Sequence, residues 1–188
     1  MTPPDDTRLH DALVDDLDSG FAALVTEHAD VVHAVARRSL DRAALADAED
    51  LAAEAFLRAY RALRGYDAER IRGLALRPWL LTIVVNLARN QRRDAARRPA
   101  TDAVDSPPER PSAGPGVEEV VENAALGDRL ADLLADLPEA QRTAVVLRHV
   151  VDLPVDEIAA VLGCAAGTAR SHVSRGLAAL RATAWLEG

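Results

Sequence analysis

Cysteine is nearly absent from this sequence, since Cys164 is the single one among 188 residues. One thiol cannot form a disulfide within the chain, and it cannot supply the paired cysteines of most zinc sites. We expect Cys164 to be a small buried hydrophobe and not a redox sensor. The fold should therefore depend on packing, and we expect no metal and no cofactor.

Lysine is absent altogether, and aromatic residues make up only 3% of the chain. Abundant Ala and Leu with few aromatics favour helices packed through aliphatic side chains over a β-sandwich. All 22 basic residues are arginines, which suit bidentate contacts with phosphates and bases, although a GC-rich genome would produce the same bias. Strand patterns and internal repeats are missing as well, so we expect an all-α fold.

Long apolar runs are also missing. No run approaches the roughly 20 residues that span a bilayer, and the first residues, MTPPDD, resemble no part of a signal peptide. We expect a soluble, cytoplasmic protein with no membrane insertion. The formal net charge of −8 argues against bulk attraction to nucleic acid, so any DNA contact must come from local basic patches.

The chain divides into four segments. Residues 1–17 are polar and acidic, and we expect a disordered tail or a short helix there. Apolar residues at three-and-four spacing predict helices through residues 18–98, whereas residues 99–117 are rich in Pro and Gly and resemble a flexible linker. Helical patterns return in residues 118–188. The prediction is two small helical domains joined by a flexible linker.

The segment PVDEIAAVLGCAAGTARSHVSRGLAALR predicts a helix-turn-helix in which a short helix enters the turn through Gly163. The second helix carries its apolar residues on one side. No acidic residue occurs in residues 165–185, so the polar side can approach phosphates and base edges. An ordinary solvated helix face is the alternative, but the short helix and the glycine turn favour DNA. The candidates for DNA contact are Thr168, Arg170, Ser171, His172 and Arg175.

A second candidate for DNA contact is the segment RPWLLTIVVNLARNQRR, which Pro78 opens in the first turn of a helix after a predicted loop at residues 65–76. This helix is apolar around most of its circumference and carries one narrow polar stripe. The helix ends in a basic cluster, for which a solvated basic helix end is the alternative interpretation. This cluster consists of Arg89, Arg92, Arg93, Arg97 and Arg98. The candidate residues are Trp79, Thr82, Asn86, Arg89, Asn90 and Arg93.

The acidic segment DAEDLAAEAFLRAYRAL permits an interpretation as an acid/base or metal cluster. Nothing completes such a site, because His28 and His33 are five residues apart and do not share a helix face. A protein-binding face is favoured, with candidate residues Asp47, Glu49, Asp50, Leu51, Glu54, Phe56 and Leu57.

These three segments together carry a resemblance to a known family. The stretch LADLPEAQRTAVVLRHVVDLPVDEIAAVLGCAAGTARSHVSRGLAALR resembles domain 4 of bacterial RNA polymerase sigma factors, and the other two segments resemble parts of sigma domain 2. The order and separation of the blocks also fit. Over roughly residues 18–98 and 126–182, the chain is identified as a member of the extracytoplasmic-function (ECF) group of the sigma-70 family.

The resemblance implies a non-enzymatic protein that directs core RNA polymerase to promoter DNA. The acidic segment would grip the coiled coil of the polymerase β′ subunit, and the Trp79 helix would recognise the minus-10 element. The loop at residues 65–76 would capture a flipped promoter base. The helix-turn-helix would recognise the minus-35 element, and domain 4 would dock on the β flap. The resemblance further implies an anti-sigma factor as a partner.

Three positions depart from the family pattern: Pro154 replaces a Ser-like cap, Ala169 replaces Val, and Ala53 replaces Gln.

Two other functions remain open at this point. A helix-turn-helix regulator that is not a polymerase subunit would bind a palindrome tightly by itself as a dimer, whereas a sigma factor would bind DNA weakly without core polymerase. A helical enzyme or scaffold is the other alternative, but nucleophile, metal and phosphate-loop motifs are missing.

Overall fold

The computed structural model describes residues 4–40, 47–97 and 133–186, and these residues form helices and connecting turns with no strand among them. The all-α prediction is confirmed. In chain order the helices are α1 (Pro4–Asp15), α2 (Leu17–Ser39), α3 (Ala48–Leu63), α4 (Ala68–Arg72), α5 (Leu76–Arg97), α6 (Glu139–His149), α7 (Val155–Leu162) and α8 (Ala166–Leu186). Residues 133–135 are also helical. The predicted linker lies outside the described residues.

The N-terminal half is built around α2, which packs against both α3 and α5. Small residues on the buried side of α3, namely Ala52, Ala55 and Ala59, are fully buried and let the helix axes approach closely. At the exposed end of this contact, Phe21 of α2 meets the rings of Phe56 and Tyr60 edge-on. The apolar stripes of α2, α3 and α5 therefore form one core.

The acidic N-terminal segment is a helix and not a disordered tail. The side chains of Leu9 and Leu13 are only 2% exposed, because their spacing of four residues places both on the side of α1 that faces the core. Gly20 of α2 allows the two helices to touch, since a Cβ there would lie 2.5 Å from the Ala12 carbonyl carbon. Two buried leucines and one glycine thus fix α1 on the domain.

The predicted loop at residues 65–76 contains the short helix α4. Asp67 caps this helix by accepting a hydrogen bond from the backbone N–H of Arg70 at 2.8 Å, and Ile71 anchors it in the core at 5% exposure. Five residues are too few to produce a recognisable periodicity, so the sequence did not predict this helix. Helix α5 then begins at Leu76, with Pro78 in its first turn as predicted.

The C-terminal half ends in the predicted helix-turn-helix, formed by α7 and α8. Gly163 adopts a left-handed conformation with φ of 65°, and the N–H of Cys164 donates to the Ala159 carbonyl at 3.0 Å, which closes α7 in a Schellman-type cap. Gly176 of α8 packs against α6 so tightly that a Cβ would lie 2.6 Å from Cγ2 of Val145.

The two halves pack against each other, α2 against α6 and α5 against α7. The buried guanidinium of Arg142 donates to the carbonyls of Leu40 in the N-terminal half and of Ala135 and Leu137 in its own half. Arg77 of α5 donates to the Val151 carbonyl at 2.6 Å. The sequence predicted the two helical units but not this contact between them.

Candidate nucleic-acid and protein interfaces

The polar side of α8 presents four of the five residues expected to contact the minus-35 element: Thr168, Arg170, Ser171 and Arg175 are exposed, whereas His172 is half-buried. The opposite side is fixed in the core by Ala169, which is fully buried. The hydroxyl of Ser171 donates to the Gly167 carbonyl one turn back. Because this helix follows a tight turn and carries no carboxylate on its described face, it presents a purely basic and polar surface.

The polar stripe of α5 contains exposed residues and residues that form hydrogen bonds within the protein. Asn86, Asn90 and Arg93 are exposed. Thr82 is half-buried, and its hydroxyl donates to the Pro78 carbonyl at 2.8 Å. Arg89 is engaged with the other half of the molecule, because its Nε donates to Oε1 of Glu139 in α6 at 2.7 Å.

Glu139 lies against two arginines of α5. The same Oε1 that accepts from Arg89 is 3.5 Å from a terminal guanidinium nitrogen of Arg92. The side chains of Glu139 and Arg89 are 34% and 31% exposed, so the pair is partly shielded from water. In this arrangement a carboxylate neutralises part of the basic cluster of α5.

Sequence reasoning missed an aromatic group beside the start of α5. The rings of Tyr66 and Trp79 lie 6.3 Å apart at 58°, and the guanidinium of Arg70 stacks 3.7 Å from the centre of the Tyr66 ring. Trp79 was a candidate by itself. Tyr66 precedes Asp67, the N-cap of α4, so no helical spacing in the sequence joins it to Arg70 or to Trp79.

The acidic end of α3 presents Asp47, Glu49 and Asp50 to solvent. Glu54 follows one turn later, and the hydrogen bond from Arg58 holds the pKa of its carboxyl below the usual value. Leu57 is the large apolar residue of this face, with 46% of its surface exposed. A negative rim beside an exposed leucine is a chemistry that suits a basic and apolar protein partner.

Two members of the protein-binding set are less exposed than a contact residue was expected to be. Leu51 is only 3% exposed, because it lies four residues before Ala55 on the core side of α3. Phe56 is half-buried and packs on Phe21. Leu51 therefore lies beneath this face and is not part of its surface.

Comparison with known proteins identifies the family. The model of sigma-70 region 2 matches residues 24–98, and that of sigma-70, region 4 matches residues 127–180. The ECF RNA polymerase sigma-E factor of Escherichia coli is 35% identical over 136 residues, which is 69% of each chain. The chain belongs to the ECF group of the sigma-70 family.

Three further proteins resemble this chain, one in sequence and two in fold. The ECF RNA polymerase sigma factor SigE of Mycolicibacterium smegmatis is 34% identical over 162 residues, which is 84% of this chain and 59% of that relative. Among solved structures, CnrH in complex with the cytosolic domain of CnrY has a TM-score of 0.69 at 24% identity, covering 97% of this chain and 99% of that one. The sigma factor RpoE of Bartonella quintana, solved with the anti-sigma factor NepR, has a TM-score of 0.64 at 24% identity, covering 86% and 94%.

The match to region 2 disfavours a helix-turn-helix regulator that works without polymerase, because it covers the half of this sigma factor that such a regulator would lack. The two histidines considered above as metal ligands lie in different environments. His28 is buried, and this burial lowers the pKa of its imidazole, whereas His33 is exposed. The described parts of the chain contain no group of three metal-ligating side chains, and none of their helices is long and apolar enough to cross a membrane.

Proposed function

We propose that this sigma factor binds core RNA polymerase through the acidic end of α3 and recognises promoters with two separate helices, α8 at the minus-35 element and α5 at the minus-10 element. The observation that carries the proposal is the exposed, carboxylate-free polar side of α8 in a chain that also matches sigma-70 region 2. In this proposal the polymerase supplies all of the catalysis, the protein needs no cofactor, and it works in the cytoplasm.

Recognition at the minus-10 element requires that bases leave the DNA stack, which costs a few kcal/mol. The group of Tyr66, Arg70 and Trp79 offers compensation, since stacking of a base on an aromatic ring is worth about 1–3 kcal/mol. The exposed amides of Asn86 and Asn90 continue this surface along α5. We therefore assign the segment from Tyr66 to Trp79 to the opened strand.

The two halves must separate for both elements to be bound at once. The positions minus-35 and minus-10 differ by about 25 base pairs. This separation is about 85 Å along B-DNA at about 3.4 Å per base pair. A helical domain of about 100 residues has a radius of gyration of only about 13 Å, so two domains in direct contact cannot span this distance. Binding of polymerase and DNA would therefore break the contact between Arg89 and Glu139.

The substitution Glu139→Gln should strengthen binding of single-stranded minus-10 DNA by the isolated sigma factor. It removes the carboxylate that neutralises Arg89 and leaves the positive charge of Arg89 for phosphates. We expect a threefold to tenfold lower Kd, the scale of one net hydrogen bond, measured by fluorescence anisotropy at fixed salt. Asp136→Asn, an exposed carboxylate three residues earlier, is the matched control. Equal affinities for the two variants would contradict a shielding role for Glu139.

The double substitution of Arg170→Ala with Arg175→Ala should reduce transcription from promoters that depend on a minus-35 element by about 30-fold or more, since each of the two lost contacts is worth at least about 1 kcal/mol. Initiation by holoenzyme on templates with and without that element measures the effect. Arg181→Ala is the control, because this exposed arginine lies on the same helix, about 16 Å beyond Arg170 at about 1.5 Å per residue. Unchanged occupancy of the minus-35 element would sink the assignment of α8.

We also propose that an anti-sigma factor regulates this protein. Support comes from the similarity in fold to RpoE, which was solved in complex with its anti-sigma factor. Such a partner would act most simply by holding the two halves together.

A further inference from the structure

Helix α1 has no assigned role, and it lies outside the match to sigma-70 region 2, which begins at residue 24. It is nevertheless built into the domain. Leu9 and Leu13 are buried, and α1 packs against both α2 and α4. Helix α4 is part of the segment from Tyr66 to Trp79, which we assign to the minus-10 element. Helix α1 therefore contacts this segment directly.

The most specific contact of α1 is made by His10. Its side chain is 4% exposed, and its Nε2 lies 2.9 Å from the carbonyl oxygen of Leu74. Because a carbonyl only accepts, the proton of the imidazole must be on Nε2 in this pair. Leu74 lies in the turn between α4 and α5, so one partly buried hydrogen bond fixes the backbone directly before the helix that carries Trp79.

A second contact lies one residue further along α1. The carboxylate of Asp11 is 3.9 Å from Nε of Arg72, the last residue of α4. Both side chains are more than half exposed, so this pair adds little stability. The position of this pair is informative, because it lies at the C-terminal end of α4 and His10 contacts the turn that follows. Both contacts of α1 therefore lie directly before α5.

A cavity of about 200 Å³ separates the end of α1 from the aromatic group. Leu13, Val14 and Leu17 line one wall, and Tyr66, Ala68 and Ile71 line the other. Helix α1 and Tyr66, on which Arg70 stacks, therefore border the same cavity. Movement of α1 would change the shape of the surface that faces an unstacked base.

We propose that α1 positions the segment from Tyr66 to Trp79, and that His10 thereby sets the selectivity of the sigma factor at the minus-10 element without touching DNA. His10 is a positioning residue in this scheme. The inference rests on the proposed function, because the segment must face the minus-10 strand for its shape to affect promoter choice.

The test uses holoenzyme, formed from core polymerase and the full chain, on a template library with a randomised minus-10 element and a constant minus-35 element. Transcripts are sequenced, and the readout is the ratio of initiation on the preferred element to initiation on its single-base variants. This ratio does not depend on how much active protein is present. His10→Phe removes the donor and keeps a ring, and His10→Gln restores an N–H at a similar reach.

We expect His10→Phe to lower the ratio about three- to tenfold, the range that corresponds to one net hydrogen bond, and His10→Gln to restore most of it. Asp11→Arg, at an exposed position where folding is not at risk, should lower the ratio about twofold through repulsion of Arg72. Val35→Ala, a truncation of a fully buried residue of α2, is the control for lost stability and should leave the ratio unchanged.

Two outcomes would overturn the inference. If His10→Phe and Asp11→Arg reduce initiation on all templates in proportion, with the ratio unchanged, α1 serves stability alone and the proposed function stands. If wild-type holoenzyme shows no preference at the randomised positions, the assignment of the minus-10 surface fails, and the role of α1 fails with it.

Discussion

The substitution Gly176→Val is expected to destabilise the C-terminal half by about 1–3 kcal/mol, the usual cost of overpacking a core. A Cβ at this position would lie 2.6 Å from Cγ2 of Val145 and 3.2 Å from the Gln141 carbonyl oxygen. Val145 is itself 5% exposed and cannot move aside. Helix α8 must therefore shift away from α6, and urea unfolding monitored by circular dichroism measures the loss.

Gly167→Ala on the same helix is the matched control. A Cβ there meets nothing within 4 Å, so the change should raise stability by up to about 1 kcal/mol through helix propensity alone. The milder Gly176→Ala combined with Val145→Ala should be less destabilised than the sum of the single changes, because the second removes the methyl group that the first meets. If the glycine substitutions at 167 and 176 change the free energy of unfolding equally, the tight contact between α6 and α8 is refuted.

Charge reversal at the acidic end of α3 should weaken the affinity for core polymerase by at least about tenfold, since like charges facing each other across an interface cost several kcal/mol. The variant combines Asp50→Arg with Glu54→Arg. Asp50 is exposed, and Glu54 forms a solvent-exposed pair with Arg58, so the folded state should lose about 0.3–0.5 kcal/mol. Competition with the wild-type protein for core polymerase measures the effect.

The control for this reversal is Glu27→Arg with Asp30→Arg, which changes the net charge equally at two exposed positions of α2. If both double variants lose affinity equally, the effect comes from overall charge and not from α3. If the α3 variant retains full affinity with an intact circular dichroism spectrum, the acidic end of α3 is not the polymerase-binding face.

The sequence was sufficient to predict the long helices, because α2, α3 and α5 each carry enough apolar positions to show a period of 3.6. It also predicted the turn of the helix-turn-helix, since a glycine after a short apolar helix indicates a left-handed C-terminal cap. It was insufficient for α1 and α4. Two buried leucines in an acidic segment and a five-residue helix give too little periodicity to distinguish a packed element from a tail or a loop.

The contact between the two halves could not be predicted at all. Arg89 and Glu139 are 50 residues apart, and each fits the polar side of its own helix, so nothing local connects them. Arg142 was likewise unremarkable in sequence, yet it is buried and bonds to carbonyls of both halves. The burial of Leu51, in contrast, could be predicted, because its spacing to Ala55 already indicated the core side of α3.

The DNA and polymerase contacts of individual side chains remain predictions, and they depend on one central claim: promoter recognition by this protein is a property of the complex with core RNA polymerase. The most direct measurement is run-off transcription from a randomised promoter library with core polymerase, with and without the protein. We predict transcripts from a single class of promoters that requires both components, together with weak DNA binding by the protein alone. Tight binding of a palindromic site by the isolated protein as a dimer, with no new transcript when core polymerase is added, would contradict the account.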